Sequence, residues 1–235
     1  MRTVSRTDIG HVRATNQDAL IEQHGRFGLY GVADGMGGHK AGDIASKMAV
    51  LLLGRMLENV EPEETALRGC VDQVNRAVYL EQEKDETLRG MGTTLTVLWE
   101  GDHDILVGHV GDSRAYLWRD GVIRQVTMDH SMVAEMVRDG ALTPEEALRH
   151  PYRHVITRAL GTAETVETDV IRVEKKLGDR WLVCSDGLSE YVTEQEMAQR
   201  LATLPLEDAA DALLLRALSL GGRDNVTLLL AEVSP

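Results

Sequence analysis

Between Thr94 and Val126 the chain carries four short β-rich runs, Thr94–Trp99, Ile105–Val110, Ala115–Trp118 and Val122–Val126, with Gly-Asp or Asp-Gly turns between them. A parallel connection needs a crossover of a dozen or more residues, so runs spaced this closely must pair antiparallel. Ala19–Gln23 and Phe27–Ala33 flank His24-Gly25-Arg26 in the form of a β-hairpin. Further strands are expected at Val166–Val173, Trp181–Cys184 and Val226–Val233. Helical spacing comes in pairs. Asp43 to Glu58, with Ile44, Met48, Leu51, Leu52 and Met56 apolar, is followed by Pro62 to Glu86, with proline in its first turn. Thr193–Thr203 is followed by Leu206–Leu220. Hairpins and paired helices point away from alternating βαβ units and toward antiparallel sheets covered by helices. The expected class is α+β, and a four-layer α-β-β-α sandwich, two antiparallel sheets flanked by helix pairs, accommodates the count.

The segment from His130 to Gly161 differs, with two short helical patterns, Pro144, Pro151 and much charge. It is expected to be a flap inserted at about 130–161 in a single domain spanning residues 1–235. No repeat or low-complexity linker interrupts the chain. The net charge of −13 argues against nucleic-acid binding, and part of that acidity suits bound cations. Two cysteines, Cys70 and Cys184, give neither a disulfide framework nor zinc-type spacing. Met1 to His11 lacks a secretory apolar core, and Met48 to Leu53 is too short to span a bilayer. The expected location is cytoplasmic, with no membrane partner.

Several aspartates stand where an apolar strand meets a glycine-containing turn. Asp34 follows Leu29-Tyr30-Gly31-Val32-Ala33 and precedes Gly35; Asp186 follows Trp181 to Ser185 and precedes Gly187. Asp112 follows Leu106 to Gly111, and Asp224 lies in Gly221-Gly222-Arg223-Asp224-Asn225 before the last strand. One Asp-Gly is an ordinary turn. Several such strand ends, if they converge, place carboxylates that repel one another and favour protonation unless cations intervene. Oxygen ligands with little histidine nearby favour magnesium or manganese over zinc or copper, and Gly35 can add its backbone carbonyl. Two cations bridged by one carboxylate would hold a hydroxide for in-line attack on phosphorus. Arg13, in Arg13-Ala14-Thr15-Asn16-Gln17-Asp18, is the candidate clamp, since a guanidinium can hold two phosphate oxygens at once.

The ordered series Arg13-x-x-Asn16-x-Asp18, Val32-Ala33-Asp34-Gly35-Met36-Gly37-Gly38-His39, Gly92-Thr93-Thr94 and Val110-Gly111-Asp112-Ser113-Arg114 resembles the bacterial branch of the type-2C metal-dependent serine/threonine protein phosphatases. Asp129-His130-Ser131, Ile156-Thr157-Arg158-Ala159-Leu160-Gly161, Ser185-Asp186-Gly187 and Gly222-Arg223-Asp224-Asn225 continue it, from about Asp8 to Val233. The resemblance implies hydrolysis of phosphoserine and phosphothreonine on proteins by a metal-bridged hydroxide, reversing a bacterial Ser/Thr kinase. It implies two to three divalent cations, manganese or magnesium. Asp34 would bridge two of them, Gly35 would serve the second, and Asp186 and Asp224 the first. Asp18 would act mainly through metal-bound water, and Asp112 with Asp186 would hold a weaker third ion. His39 would protonate the leaving oxygen, although a helix start disfavours its imidazolium form, and Lys40 beside it departs from the family pattern. Phosphorylated proteins and a cognate kinase are the implied partners of a monomeric enzyme.

Three other readings compete. Cys70-Val-Asp-Gln-Val-Asn-Arg76 matches the C-x5-R pattern of cysteine phosphatases, but it lacks glycine and lies in a helical pattern that buries Cys70 with Val74 and Ala77. His150-x-x-x-His154 has helical ligand spacing, but Pro151 weakens it, so both histidines are expected in a solvated part of the flap. A pseudophosphatase that binds phosphoproteins without turnover is the alternative from another class, favoured only if Asp34, Asp186 or Asp224 were missing.

Overall fold

The computed structural model describes residues 1–37 and 41–234. Two antiparallel sheets form its centre. The first contains β1 (Arg2–Asp8), β7 (Arg114–Arg119), β8 (Val122–Gln125), β10 (Arg180–Cys184) and β11 (Val226–Glu232), in the order β1-β11-β10-β7-β8. The second contains β2 (Asp18–Gln23), β3 (Leu29–Met36), β5 (Leu95–Glu100), β6 (Asp104–Val110) and β9 (Asp169–Glu174), ordered β2-β3-β5-β6-β9. The two-residue β4 (Gly92–Thr93) pairs with the end of β3.

Successive strand residues point to opposite faces, and here both faces of each sheet are covered. In β10, Trp181 and Val183 enter the layer between the sheets, while Leu182 and Cys184 face the helices. In β11, Leu229 and Ala231 face inward, and Leu228 and Leu230 face outward. This explains why these strands read as continuous apolar runs rather than as alternating ones. Helices α1 (Ala41–Leu57) and α2 (Glu64–Gln82) cover the second sheet through Ala45, Ala49, Leu53, Leu67, Val71, Val74 and Val78, all fully buried. Helices α6 (Glu194–Thr203) and α7 (Leu206–Ser219) cover the first through Met197, Leu201, Ala209 and Leu213. Each large side chain so buried contributes about 1.5–3 kcal/mol, so the three apolar layers hold the four structural layers together. The architecture is the expected α-β-β-α sandwich.

The differences lie at element ends. β3 does not stop at Ala33 but continues through Asp34 and Gly35 to Met36. α1 begins at Ala41, ahead of the expected Asp43, and α2 ends at Gln82, with a separate 3₁₀ turn at Glu86–Leu88. β1 is a strand that periodicity does not reveal. Only Val4 of its seven residues is buried, because it lies at a sheet edge and pairs with β11 alone. Such an edge strand tolerates polar residues on both faces.

Residues 130–161 hold two short helices, α3 (Met132–Arg138) and α4 (Pro144–Ala147). Thr143 and Glu146 form a reciprocal capping box at the start of α4. The base of the segment is tied by His130 N–H to the Gly111 carbonyl at 2.7 Å, Thr157 N–H to the His130 carbonyl at 2.8 Å, and Met132 N–H to the Val155 carbonyl at 2.9 Å. Among the described residues, no helix is long and apolar enough to cross a membrane.

Candidate active site

At one end of the sandwich a cleft of about 430 Å³ opens between the strand ends, with Arg13, Asp34, Gly35, Asp112, Asp186 and Asp224 in its lining. Each carboxylate arrives from a different element. Asp34 lies near the end of β3, Asp112 in the β6–β7 turn, Asp186 at the first position of the single-turn helix α5 (Asp186–Ser189), and Asp224 in the loop before β11. Asp18 does not line the cleft. It is buried at the start of β2, directly across the ladder from Asp34, where its Oδ2 accepts a 2.9 Å hydrogen bond from Ser185 Oγ.

The surrounding motif residues hold these positions. Thr94 Oγ1 accepts from Asp34 N–H at 2.9 Å, while Thr93 Oγ1 and Thr94 N–H both donate to the Asp34 carbonyl at 2.9 Å. Thr94 Oγ1 also lies 2.8 Å from Ser113 Oγ, joining the Gly-Thr-Thr segment to the turn that carries Asp112. Asn225 fixes the Arg13 loop. Its Oδ1 accepts from Gln17 N–H at 2.8 Å, and its Nδ2 donates to the carbonyls of Ile9 and Thr15 at 2.9 and 3.0 Å. Gly187 lies so close to the Asn225 carbonyl that any Cβ would collide with it, which lets α5 approach the Asp224 loop.

Packing also requires a glycine at position 35. A Cβ there would collide with the carbonyl of Gly42 in α1, and one at Gly42 would lie 2.7 Å from the Gly35 carbonyl. The glycine pair lets the start of α1 press directly against the strand end that presents Asp34.

Electrostatically the cleft is an unsolved problem without cations. Burial, reinforced by Asp18, Asp186, Asp112 and Asp224, raises the Asp34 carboxyl well above its ordinary value. Burial raises Asp186 in the same way, with Asp112, Glu190 and Asp224 adding to it. Asp112 is pushed up to about 7 by burial and by Asp129, and Asp18 to about 6 by burial against opposing hydrogen bonds. Asp18 Oδ1, Asp112 Oδ1 and Asp186 Oδ1 are buried without a hydrogen-bond partner. Buried polar atoms are nearly always partnered. Orphaned carboxylate oxygens of several aspartates in one cluster fit hard divalent cations, which take oxygen ligands.

Arg13 reaches the cluster, and its Nη2 donates to Asp224 Oδ2 at 2.6 Å. His39 lies outside the described residues. The structure also brings in groups that sequence reasoning set aside or missed. His154 is exposed, as expected, but it also lines the cleft, and its Nδ1 lies 2.6 Å from Glu190 Oε1. Ligand atoms of His154, Asp186 and Glu190 lie within 4.8 Å of one another. Gln17, Tyr191 and Arg223 also line the cleft. Only the Ser185-Asp186-Gly187 signal, followed at once by Glu190 and Tyr191, pointed toward the last strip of this wall. Cys70 is in the middle of α2, half-buried against the first helical core, with burial raising its thiol. A rigid helix cannot wrap a phosphate as the C-x5-R chemistry demands.

A family model described as protein phosphatase 2C matches residues 10–217. The serine/threonine phosphatase stp of Listeria monocytogenes serovar 1/2a is 41% identical over 241 residues, spanning 99% of this chain and 96% of that protein. The serine/threonine protein phosphatase PstP of Mycobacterium tuberculosis is 40% identical over 236 residues, covering 99% of this chain and 45% of that longer protein. The crystal structure of M. tuberculosis PstP/Ppp superposes with a TM-score of 0.92 at 39% identity, covering 100% of this chain and 99% of that one. The PstP catalytic domain in complex with two manganese ions superposes with a TM-score of 0.89 at 38% identity, covering 100% and 98%. With the family model spanning most of its length and these relatives matching nearly all of it, the chain belongs to the protein phosphatase 2C family.

Proposed function

We propose that this chain hydrolyses phosphoserine and phosphothreonine on proteins at the aspartate cleft, with two to three manganese or magnesium ions held there. The observation that carries the reading is the convergence of Asp34, Asp112, Asp186 and Asp224 on one cleft above buried Asp18, with orphaned buried oxygens on Asp18, Asp112 and Asp186. Asp34 would hold two ions together, the Gly35 carbonyl would serve one, Asp186 and Asp224 the other, and Asp112 with Asp186 an outer third. Divalent cations held by these residues would neutralise this charge and would supply the Lewis acidity that makes a water nucleophilic at neutral pH.

The chain's own side chains supply the rest. Arg13, paired with Asp224 at 2.6 Å, exchanges that carboxylate for two phosphate oxygens and so orients the ester for in-line attack. Asn225 keeps the Arg13 loop in place through three hydrogen bonds. Asp18, which accepts the Ser185 hydroxyl across the ladder from Asp34, would reach the ions through bound water rather than directly. His39 is assigned to protonate the leaving serine or threonine oxygen. Among the described residues, no buried cysteine or serine nucleophile with a base is needed in this scheme. The family's activity makes phosphoproteins the substrates. A serine/threonine kinase acting on the same sites is the proposed counterpart, and a monomeric cytoplasmic enzyme, one catalytic domain with residues 130–161 as its flap, the proposed form.

The pseudophosphatase reading requires a gap in the ligand set, and Asp34, Asp186 and Asp224 are all in place. Turnover of p-nitrophenyl phosphate and of a phosphothreonine peptide with manganese tests the proposal. Release of phosphate from both is expected, and binding of the peptide without release would favour the pseudophosphatase.

A further inference from the structure

A second groove, of about 600 Å³, adjoins the cleft and shares Glu190, Tyr191 and Arg223 with it. It lies between the flap helices α3 and α4 and the edge of the first sheet at β7 and β8. Its lining includes apolar side chains open to solvent, with Val137 half-buried, Met128 55% exposed and Leu148 75% exposed. A lone exposed leucine is ordinary, but three apolar side chains lining one groove beside a catalytic cleft are a candidate contact surface.

The charge of this groove runs against that of the chain. The protein carries a net −13, yet Arg138, Arg153 and Arg223 are exposed along the lining. The acidic groups that share the groove are already engaged. Asp129 is held by Arg114 through Nε to Oδ1 at 2.9 Å and Nη2 to Oδ2 at 2.7 Å. Glu190 takes His154 at 2.6 Å. Among the described residues, Arg153 and Arg223 face no carboxylate within ion-pair range, and Arg138 has only the exposed Asp139 at 3.7 Å. The groove therefore presents uncompensated positive charge beside exposed apolar side chains.

We infer that this groove receives the residues flanking the phosphoresidue of a protein substrate, and that it selects segments combining acidic and large aliphatic side chains. The inference rests on the phosphatase reading and names the substrate class of that same site. Continuity decides the occupant. The cleft that would take the phosphoresidue and the groove share Glu190, Tyr191 and Arg223, so residues flanking a phosphoserine bound in the cleft have the groove as an adjoining surface. An acidic flank meets Arg153 and Arg223, and a leucine or methionine flank covers Leu148 and Met128, removing apolar surface from water on both sides. Basic flanks meet like charge. Small phosphate esters are too short to reach it.

The test compares three probes on the full chain with manganese. One is p-nitrophenyl phosphate, one a phosphothreonine peptide with glutamate and leucine flanks on both sides, and one the same peptide with lysine and serine flanks. Wild type is expected to prefer the glutamate-leucine peptide. Leu148→Asp combined with Arg153→Glu is expected to lower kcat/KM on that peptide about tenfold, mainly through KM, with p-nitrophenyl phosphate turnover unchanged. Fluorescence anisotropy with the glutamate-leucine peptide carrying a non-hydrolysable phosphonate supplies the second readout, and the Kd is expected to rise by the same factor. Equal kcat/KM for the two peptides in wild type, an unchanged phosphonate-peptide Kd in the variant, or an equal loss on all three probes would each overturn the inference. Failure of wild type to turn over p-nitrophenyl phosphate would instead contradict the phosphatase reading, and the phosphonate-peptide Kd would still decide whether the groove binds.

Discussion

Asp18 and Asp34 are direct partners across the β2–β3 ladder, and neither has an ion-pair partner among the described residues. Cβ atoms of such opposed residues lie about 4.5–5.5 Å apart, and like charges so placed destabilise a sheet. Burial sharpens the conflict and drives both carboxyls toward the protonated form. An apolar core could have filled this space at lower cost, so the arrangement makes sense as a site poised for cations. The cost falls on the metal-free fold, and the benefit appears when ions bind.

Asp34→Asn therefore separates stability from function. Removing one charge from the cluster is expected to raise the melting temperature of the chelated protein, by about 2–4 °C for each kcal/mol of relieved repulsion. Phosphatase turnover with manganese is expected to fall to a small residue of the wild-type value. Scanning calorimetry with chelator and a phosphate-release assay check the two halves, and a variant that is less stable without metal would contradict the repulsion argument.

The pH dependence follows from the same carboxylates. A group whose folded pKa is raised contributes stability that is complete below its ordinary value of 3.8 and is lost as pH rises through the folded value, near 6 for Asp18 and near 7 for Asp112. Carboxylates with lowered values, such as Glu100 beside the Met1 ammonium and Lys175, and Asp169 beside His130, act in the opposite direction, but in a more acidic window. The rise in melting temperature on adding manganese is thus expected to grow steadily between about pH 5 and about pH 8, as protons cease to compete with cations. Thermal scans at paired pH values with and without manganese measure it, and a rise independent of pH would count against the assignment.

Much of this was legible in the sequence, for a physical reason. Strands buried on both faces, such as Trp181–Cys184 and Val226–Val233, stand out as apolar runs, and the helix pairs keep their period because one face of each is buried. Asp34, Asp112 and Asp186 were visible because each follows such a run beside a glycine, and Asp224 because it stands in a glycine-containing turn just before the last strand. What stayed hidden depends on contacts between distant segments. β1 is polar because it has a single strand neighbour, so its alternation carries no signal. His154 and Glu190 are 36 residues apart and meet only in the folded chain, 2.6 Å from Nδ1 to Oε1. The packing demand on Gly35 comes from the carbonyl of Gly42 in α1, a contact that its neighbours in sequence do not show.

That glycine contact gives a further test. Gly42→Ala places a methyl 2.7 Å from the Gly35 carbonyl carbon and oxygen, atoms of backbone that cannot rotate away. The expected cost is about 1–3 kcal/mol of stability, together with a displaced Asp34 and weaker manganese binding. Calorimetric titration with manganese reads the second effect, which a helix-propensity change alone would not produce, since alanine favours the helix.

Arg13→Ala tests the phosphate clamp. Its guanidinium touches Asp224 in the structure rather than any other anion, so its loss also frees that carboxylate. Substrate capture is expected to suffer more than turnover, with KM raised by about one order of magnitude and kcat lowered less. Arg13→Lys is expected to recover little, because an ammonium cannot hold two oxygens in one plane. Steady-state kinetics on a phosphopeptide distinguish this from a kcat defect with unchanged KM, which would place Arg13 outside substrate binding.

The central claim is that hydrolysis depends on divalent cations held by the aspartate cluster, and phosphate release from a phosphothreonine peptide after exhaustive chelation tests it most directly. Turnover is expected to vanish in chelator and to return on titrating manganese back, with Asp186→Asn failing to recover at the same concentrations. Undiminished turnover by the fully chelated protein would contradict the account.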